Sequence, residues 1–428
     1  METSAEKQRE FAVRLVRQLR EAGFTAYWAG GCVRDRLLGR TPKDYDIATD
    51  ATPRQIRELF GYRRTLAIGA AFGVITVVGP KEAGQVEVTT FRQETTYSDG
   101  RHPDSVSFSD AREDASRRDF TINGMFYDPV EQHVIDFVGG RQDLQRRLIR
   151  AIGDPEARIA EDKLRMLRAV RFAAAFGFEM DEKTFEAVRR RAGEIVVVSA
   201  ERIAEEMRRM LVGSGRGRAV RLLLDTGLAA RVLPEIVPST QREGESLDRS
   251  LQVLERLDSP GFPLSLAVLL IGRVLPLAVE EICRRWKLSN KESDCVRWLI
   301  AHHGAIRDAP RKLWSEIQPV LVAPGAEDLL ALVDAETRLG EAAAEDVAWC
   351  RGRRARPRHE WDPPSILTGE DLKRHGLKPG PAFSRLLARV RKAQLDDEIN
   401  TVEQALDLVD RFLEEEEVGY GQESKKEN

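Results

Sequence analysis

Asp44 and Asp46 stand one residue apart in the stretch Lys43-Asp44-Tyr45-Asp46-Ile47-Ala48. On a strand, residues i and i+2 point to the same face, so the two carboxylates would lie side by side. Like charges that close repel, and a cation between them is expected. A pair of Mg²⁺ ions carrying a nucleoside triphosphate fits, because Mg²⁺ usually takes one or two carboxylates plus phosphate oxygens. Taken alone, the pattern also describes two solvated turn aspartates. Gly30 and Gly31 precede it, at the junction of a predicted strand and helix. With no Cβ in the way, their N–H groups can approach a phosphate at a helix N-terminus. Arg34 and Asp35 follow about one turn later. A third acid, Glu87, lies in the alternating segment QVEVTTF at 85–91. It either completes a three-carboxylate cluster or is an exposed strand glutamate.

These residues need short strands and helices to hold them. Strands are predicted at 25–30, 44–49, 71–78 and 85–91, with helices between them at 5–21, 31–38 and 53–60. Strands mixed with helices over the first ~145 residues predict an α/β or α+β catalytic module. From about 155 onward the apolar spacing is helical almost throughout. Ile159, Leu164, Leu167, Val170 and Ala174 read as one helical face. Ser199 and Gly213 bracket a further helix as N-cap and stop. More helices are predicted near 216–226, 246–258, 262–270, 276–286 and 291–302. The basic, then proline-rich segment 351–364 reads as a linker or boundary, and a last helical unit spans 368–415. Residues 416–428 are charged and poor in apolar residues, and predict disorder.

Composition sets the background. Lysine and arginine total 67 against 70 acids, a net charge of −3, so attraction to nucleic acid must be local rather than global. A hydrophobic fraction of 42% supports a packed core. The four cysteines show no paired spacing for a disulfide framework or a thiolate metal site. The N-terminus is polar, and the longest apolar run, 262–272, is too short to cross a membrane. A reduced, cytoplasmic protein without a membrane partner is the expectation.

The segment GGCVRDRLLGRTPKDYDIAT at 30–49 resembles the active-site signature of the class II tRNA nucleotidyltransferases, the branch that also holds bacterial poly(A) polymerases. The resemblance continues through IGAAFGVITVV at 68–78, VEVTTFR at 86–92, DGRHP at 99–103 and RRDFTINGM at 117–125. EDKLRMLRAVRFAAAFGF at 161–178 and LTGEDLKRHGLKPGPAF at 367–383 extend it over most of the chain. The resemblance implies a nucleotidyltransferase palm at 1–145, then an all-helical neck at 146–212, body at 213–355 and tail at 356–415. It also implies addition of CMP, CMP and AMP to the 3′ end of tRNA from CTP and ATP, with two Mg²⁺ ions and no template.

The same resemblance assigns roles. Asp44 and Asp46 would hold the metals, with Glu87 as third carboxylate, while Gly30, Gly31 and Arg34 cradle the triphosphate. Arg117, Arg118 and Asp119 would meet ribose and phosphates, assisted by Asn123. Glu161, Asp162 and Arg165 match the base-reading motif, with Asp162 and Arg165 expected on one helix face. Cytosine and adenine both set an exocyclic amine beside a ring-nitrogen acceptor, which an aspartate and an arginine match. Uracil and guanine would set a carbonyl against Asp162, at a cost of about 1–3 kcal/mol. Arg168 and Arg171 would support the reading face or touch the triphosphate. The polar stretch 93–116 matches a flexible element tied to the change from C to A addition, and argues against a CC-only enzyme. RNA contacts are expected from Arg208, Arg209, Arg216 and Arg218, from the runs 189–191 and 351–358, and from Lys373, Arg374 and Lys378 in the tail.

Departures from the family pattern are equally specific. Arg249 and Ile271-Gly272 stand where a His-Asp phosphohydrolase site would have its histidine and its His-Asp pair, so the body is expected to be structural. His302 and His303 are adjacent and point apart on a helix, which suits packing better than metal binding. Gly124 replaces an expected alanine, at a helix cost of about 1 kcal/mol. An A-adding enzyme or a poly(A) polymerase shares the same head and stays open as an alternative. A non-catalytic RNA-binding protein would be expected to lack a metal aspartate or the Asp162/Arg165 pair, and all are present.

Overall fold

The computed structural model describes residues 4–94, 106–340 and 342–423. The architecture is α+β, with a mixed sheet followed by a long helical region. The chain forms two compact units, Met1–Leu247 with Ile282–Leu288, and Asp248–Glu281 with Ser289–Asn428.

In the first unit, strands β1 (Ala26–Ala29), β2 (Asp46–Thr49), β3 (Thr65–Leu66), β4 (Val74–Val78), β5 (Gln85–Thr90), β6 (Arg92–Glu94), β7 (Val106–Phe108), β8 (Phe126–Asp128) and β9 (His133–Ile135) follow in order. Seven of them form one sheet in the order β3-β4-β5-β2-β1-β8-β9, and β6 pairs with β7 apart from it. The β2–β5 pair is parallel and its neighbours are antiparallel. Alternation builds one face: Ile75, Val77, Val86 and Val88 are buried. Helix α1 (Ser4–Glu21) turns Phe11, Ala12, Leu15, Val16 and Leu19 inward at helical spacing and packs on β1, β2 and β5. Helix α2 (Gly31–Leu37) leaves β1 directly. Helix α3 (Pro53–Phe60) starts on a Thr52–Gln55 capping box with proline in its first turn. Part of the opposite face carries Ala29, Ala48, Phe91, Ala115 and Phe126, where α4 (Ala111–Ser116) packs.

Helices α5 (Gly140–Gln145), α6 (Pro155–Glu161), α7 (Arg165–Phe176), α8 (Glu182–Arg191), α9 (Ala200–Val212) and α10 (Arg216–Asp225) continue this unit. Helix α7 is buried on most of its surface and packs against α9 and α10. The single helix expected across 159–174 is interrupted: Asp162 is extended, at φ −139° and ψ 105°. Helix α9 begins after Ser199, whose side chain makes no cap bond, and ends at an extended Gly213. Gly124 ends a short 3₁₀ turn, so the helix penalty expected for it does not arise. A Cβ there would sit 2.7 Å from Val138 Cγ2 and 2.9 Å from Ile152 Cδ1.

The second unit is helical among its described residues. The apolar helix Phe262–Leu270 is buried throughout apart from Pro263. Arg273 closes its end, donating from Nη1 to Leu269 O and to Ser250 Oγ, both at 3.0 Å. His302 stacks on Trp298 with centroids 4.5 Å apart, and His303 meets Glu336 at 2.6 Å. In the segment 351–364, expected as a linker or boundary, one helix ends at Arg354 and a short one spans Arg358–Trp361, with residues 355–360 exposed. Trp361 is buried, and Asp362 accepts from Gln318 at 2.7 Å. Leu367, Leu372, Leu386, Val390, Ile399 and Val409 form a small core of their own. The last helix runs Val402–Glu423, so helix replaces the disorder expected from 416 to 423. The glutamate run is a good helix former and continues the preceding turns. Residues 424–428 lie outside the described residues.

Candidate active site

The end of β1 fixes the site. Ala29 is followed by Gly30 at φ +73°, a left-handed turn into α2 that favours glycine. A Cβ on Gly30 would stand 2.9 Å from Arg118 Nη1, so the guanidinium rests against bare backbone. Register places Asp46 opposite Ala29 on one side and opposite Glu87 on the other. Asp44 lies two residues before β2 begins, so the strand alternation expected to align it with Asp46 does not reach it. The charges still act on one another. Burial, then Glu87, then Asp44 push the Asp46 carboxyl up to about 6, against the pull of Arg118. Cys32, beside them, is held as a thiol: burial pushes it up to about 12.

Among the described residues, no three acidic, histidine or cysteine side chains converge closely enough to hold a metal ion. Asp44 and Glu87 are exposed and Asp46 is half-buried. The donor set nevertheless suits Mg²⁺. That ion takes one or two carboxylates and completes its shell with water and substrate phosphate. The repulsion that raises Asp46 is what a divalent cation relieves.

Asp46 opens onto a cavity of about 540 Å³, walled also by Gly30, Gly31, Arg34, Arg117, Arg118, Asp119 and Asn123 from the head. Asp162, Arg165, Arg168, Arg171, Phe172 and Arg209 complete it from the helices that follow. Seven arginines face three aspartates across this space, which suits a polyanion. Asp44, Glu87 and Glu161 are not among the lining residues.

Most of these guanidiniums are held by the protein. Arg34 donates to Asn123 Oδ1 at 2.7 Å and to Asp35 at 2.8 Å. It also lies 4.5 Å from the Phe176 ring centre. Asn123 Nδ2 donates to Asp119 Oδ1 at 3.0 Å, and Arg168 donates to Asp119 Oδ2 at 2.6 and 2.9 Å. Both Asp119 oxygens are therefore engaged within the protein, and Asp119 ties Asn123 to Arg168 at the cavity wall. Burial raises the Asp119 carboxyl, but Arg168 first, then Asn123, outweigh it and bring it to about 2. Arg171 pairs with the buried Glu206 at 2.5 Å. Three guanidiniums, of Arg34, Arg168 and Arg171, surround Phe172, the nearest at 4.1 Å.

The pair expected to read the base is arranged differently from the expectation. Asp162 occupies the break between α6 and α7, so it and Arg165 do not share a helix face. Asp162 Oδ2 accepts from Arg202 at 2.9 Å and its Oδ1 from Leu164 N at 3.0 Å. Arg165 donates to Glu161 and to Arg158 O, both at 2.7 Å. Glu161 thus steadies Arg165 from outside the cavity. Asp162 and Arg165 are two separately anchored groups on one wall, a geometry that suits fixed donor and acceptor positions.

Of the residues expected to touch RNA, Arg209 lines this cavity instead, and Arg208 pairs with Glu205 at 3.1 Å. Arg216 is buried and donates to Gly213 O at 3.0 Å, so it offers no surface charge. Arg218 is half-buried on Glu179 at 2.5 Å, while Lys373 and Lys378 are exposed. Residues 95–105 of the polar stretch 93–116 lie outside the described residues. Sequence reading missed Arg202, Glu206 and Phe172. The first two stand four residues apart on α9, a spacing that shares one helix face, and this was the available signal.

Residues 26–150 match the family model described as the poly A polymerase head domain. Residues 177–239 match the one described as the probable RNA and SrmB- binding site of polymerase A. A CCA-adding enzyme of Lactobacillus helveticus is 34% identical over 410 residues, spanning 94% of this chain and 96% of that protein. The chain belongs to the CCA-adding enzyme family. The CCA-adding enzyme of Lactococcus lactis subsp. cremoris is similar at 33% over 398 residues, 92% of this chain and 93% of its own. The crystal structure of the Bacillus stearothermophilus CCA-adding enzyme in complex with CTP superposes with a TM-score of 0.75 at 29% identity. That match covers 97% of this chain and 100% of the Bacillus one.

Proposed function

We propose that this chain adds CMP, CMP and AMP in turn to the 3′ end of tRNA, using CTP and ATP and releasing pyrophosphate. The observation that carries the reading is the arginine-lined cavity opening beside Asp46, in a chain whose full-length relatives are CCA-adding enzymes. The Bacillus relative was solved with CTP, and ATP is the natural donor for the final adenylate. Arg117 and Arg118, with the Gly30-Gly31 turn and Arg34, hold the triphosphate. Asp162 accepts the exocyclic amine of cytosine or adenine and Arg165 donates to the ring nitrogen, so one wall serves both bases. Asp44 and Asp46 would hold two Mg²⁺ ions, which supply charge neutralisation and activate the RNA 3′-hydroxyl. Glu87, in register with Asp46, is the third carboxylate of this reading. The hydroxyl bonds to the α-phosphorus as the bond to pyrophosphate breaks.

Among the described residues no helix is long and apolar enough to cross a membrane. All four cysteines are free, in keeping with a cytoplasmic setting. The deciding experiment incubates the protein with Mg²⁺ and tRNA ending in the discriminator base, in C or in CC. CTP and ATP are given separately and together, and products are resolved at single-nucleotide length. Three additions stopping at CCA are expected. Extension only from the CC end would make the protein an A-adding enzyme, and long A tails on arbitrary RNA a poly(A) polymerase. No extension would overturn the reading in favour of RNA binding alone.

A further inference from the structure

Arg117 and Arg118 both line the cavity, and one carboxylate outside it holds them. The Asp114 side chain is 0% exposed. Its Oδ1 accepts from Arg117 Nε at 2.8 Å and Nη2 at 2.7 Å. Its Oδ2 accepts from Arg118 Nε at 3.2 Å and Nη2 at 2.9 Å. Oδ1 also accepts the backbone N–H of Arg92 at 3.4 Å, at the first residue of β6. Helix α4 explains the geometry. Arg117 caps α4 and Arg118 follows it, three and four residues beyond Asp114, so both side chains reach back to that carboxylate. Two cations on one anion leave the trio with net positive charge, and both guanidiniums reach the cavity.

A buried ion pair is a poor device for stability alone, because desolvation offsets most of its attraction. What it supplies is fixed geometry. An arginine side chain has many rotamers, and ordering two of them costs entropy at the moment of binding unless it is met beforehand. We propose that Asp114 is the positioning residue that presets Arg117 and Arg118 for the triphosphate of the incoming nucleotide and ties them to the start of β6. The proposal rests on the nucleotidyl-transfer reading of the cavity.

Asp114→Asn tests it. The amide keeps the size of the side chain but replaces one acceptor oxygen with a donor, so only one arginine can be held. Binding of CTP and of cytidine is measured by calorimetry in the presence of Mg²⁺, beside a thermal unfolding curve. Affinity for CTP is expected to fall about tenfold while affinity for cytidine holds within twofold. Equal losses for both ligands would reduce Asp114 to a structural residue and overturn the proposal, as would no loss for either. Should this variant fail to fold, Asp114→Glu carries the same comparison, since it keeps the charge and moves it by one methylene. A loss for CTP of at least about threefold with cytidine unchanged supports the proposal, and any other pattern overturns it. The two readings fail separately. A wild-type protein that extends no tRNA yet shows the CTP-to-cytidine contrast loses the function and keeps the positioning role. Normal extension without the contrast does the reverse.

Discussion

Arg117, Arg118, Arg168 and Arg171 around the cavity and Arg351, Arg354 and Arg358 in the C-terminal unit come from equally basic stretches of sequence. Their acids differ. These four cavity arginines pair with Asp114, Asp119 and Glu206, whose side chains are at most 10% exposed. The C-terminal ones pair with Asp334, Glu327 and Asp362, which range from 21% to 75% exposed. A buried acid cannot release its arginine to water, so the guanidinium keeps one direction. An exposed pair exchanges with solvent and is worth about 1 kcal/mol or less. The comparison teaches that a basic run acquires a specific role from the burial of the acid behind it, not from its own charge density.

The contrast breaks most visibly at the carboxylates that the cavity arginines surround. Asp46→Asn is expected to lower the rate of single-nucleotide extension by at least about 10³-fold, because in the proposed reading it removes a Mg²⁺-ligand charge worth several kcal/mol in the transition state. CTP binding measured without catalysis should change far less. Asp162→Ala comes next. Losing its acceptor is expected to reduce discrimination of CTP over UTP by about 10–100-fold, read as the ratio of kcat/KM values. An unchanged ratio would remove Asp162 from base choice.

The Arg168–Asp119 pair sharpens the same comparison through pH. Asp119 titrates near 2 in the folded protein against an ordinary 3.8. A carboxylate depressed on folding contributes its stability fully above the unfolded value and loses it as pH falls through the folded one. The contribution is about 2 kcal/mol at neutral pH. Asp119→Asn should therefore lower stability at pH 7, and the gap from wild type should close between about pH 4 and pH 2. Chemical denaturation at fixed pH values measures it.

Much of the fold was legible because it rests on local signals. The apolar spacing of α1, the Thr52-Pro53 start of α3 and the alternation in β4 and β5 each specify their element within a few residues. The break at Asp162 was not legible. Lys163 and Leu164 are good helix formers, and the tertiary bond from Arg202 with the local turn bond from Leu164 N to Asp162 wins over propensity there. The packed helix at 344–354 was hidden for the opposite reason, since its arginines mask a buried face of Val347 and Cys350. For the site, residue types and order pointed to the lining residues. They did not show that Arg168 takes the second Asp119 oxygen, 49 residues away in sequence, that Arg216 is buried or that Arg209 faces the cavity, because these depend on how the helices pack.

The smallest effects test the comparison at its finest grain, between neighbours on one helix. Arg208 and Arg209 both pair with Glu205, at 3.1 and 2.9 Å, yet only Arg209 lines the cavity. Arg209→Ala is expected to raise KM for CTP and ATP about threefold, the modest loss of one half-exposed charge near a polyanion. Arg208→Ala should leave both within about 1.5-fold, as should Arg358→Ala in the exposed C-terminal pair. Steady-state kinetics at two salt concentrations separate the cases. The Arg209 effect should shrink as salt screens the partly exposed charge, since the Debye length falls to about 3 Å at 1 M. Equal effects from Arg208 and Arg209 would mean that net charge on α9, rather than direction into the cavity, sets nucleotide affinity.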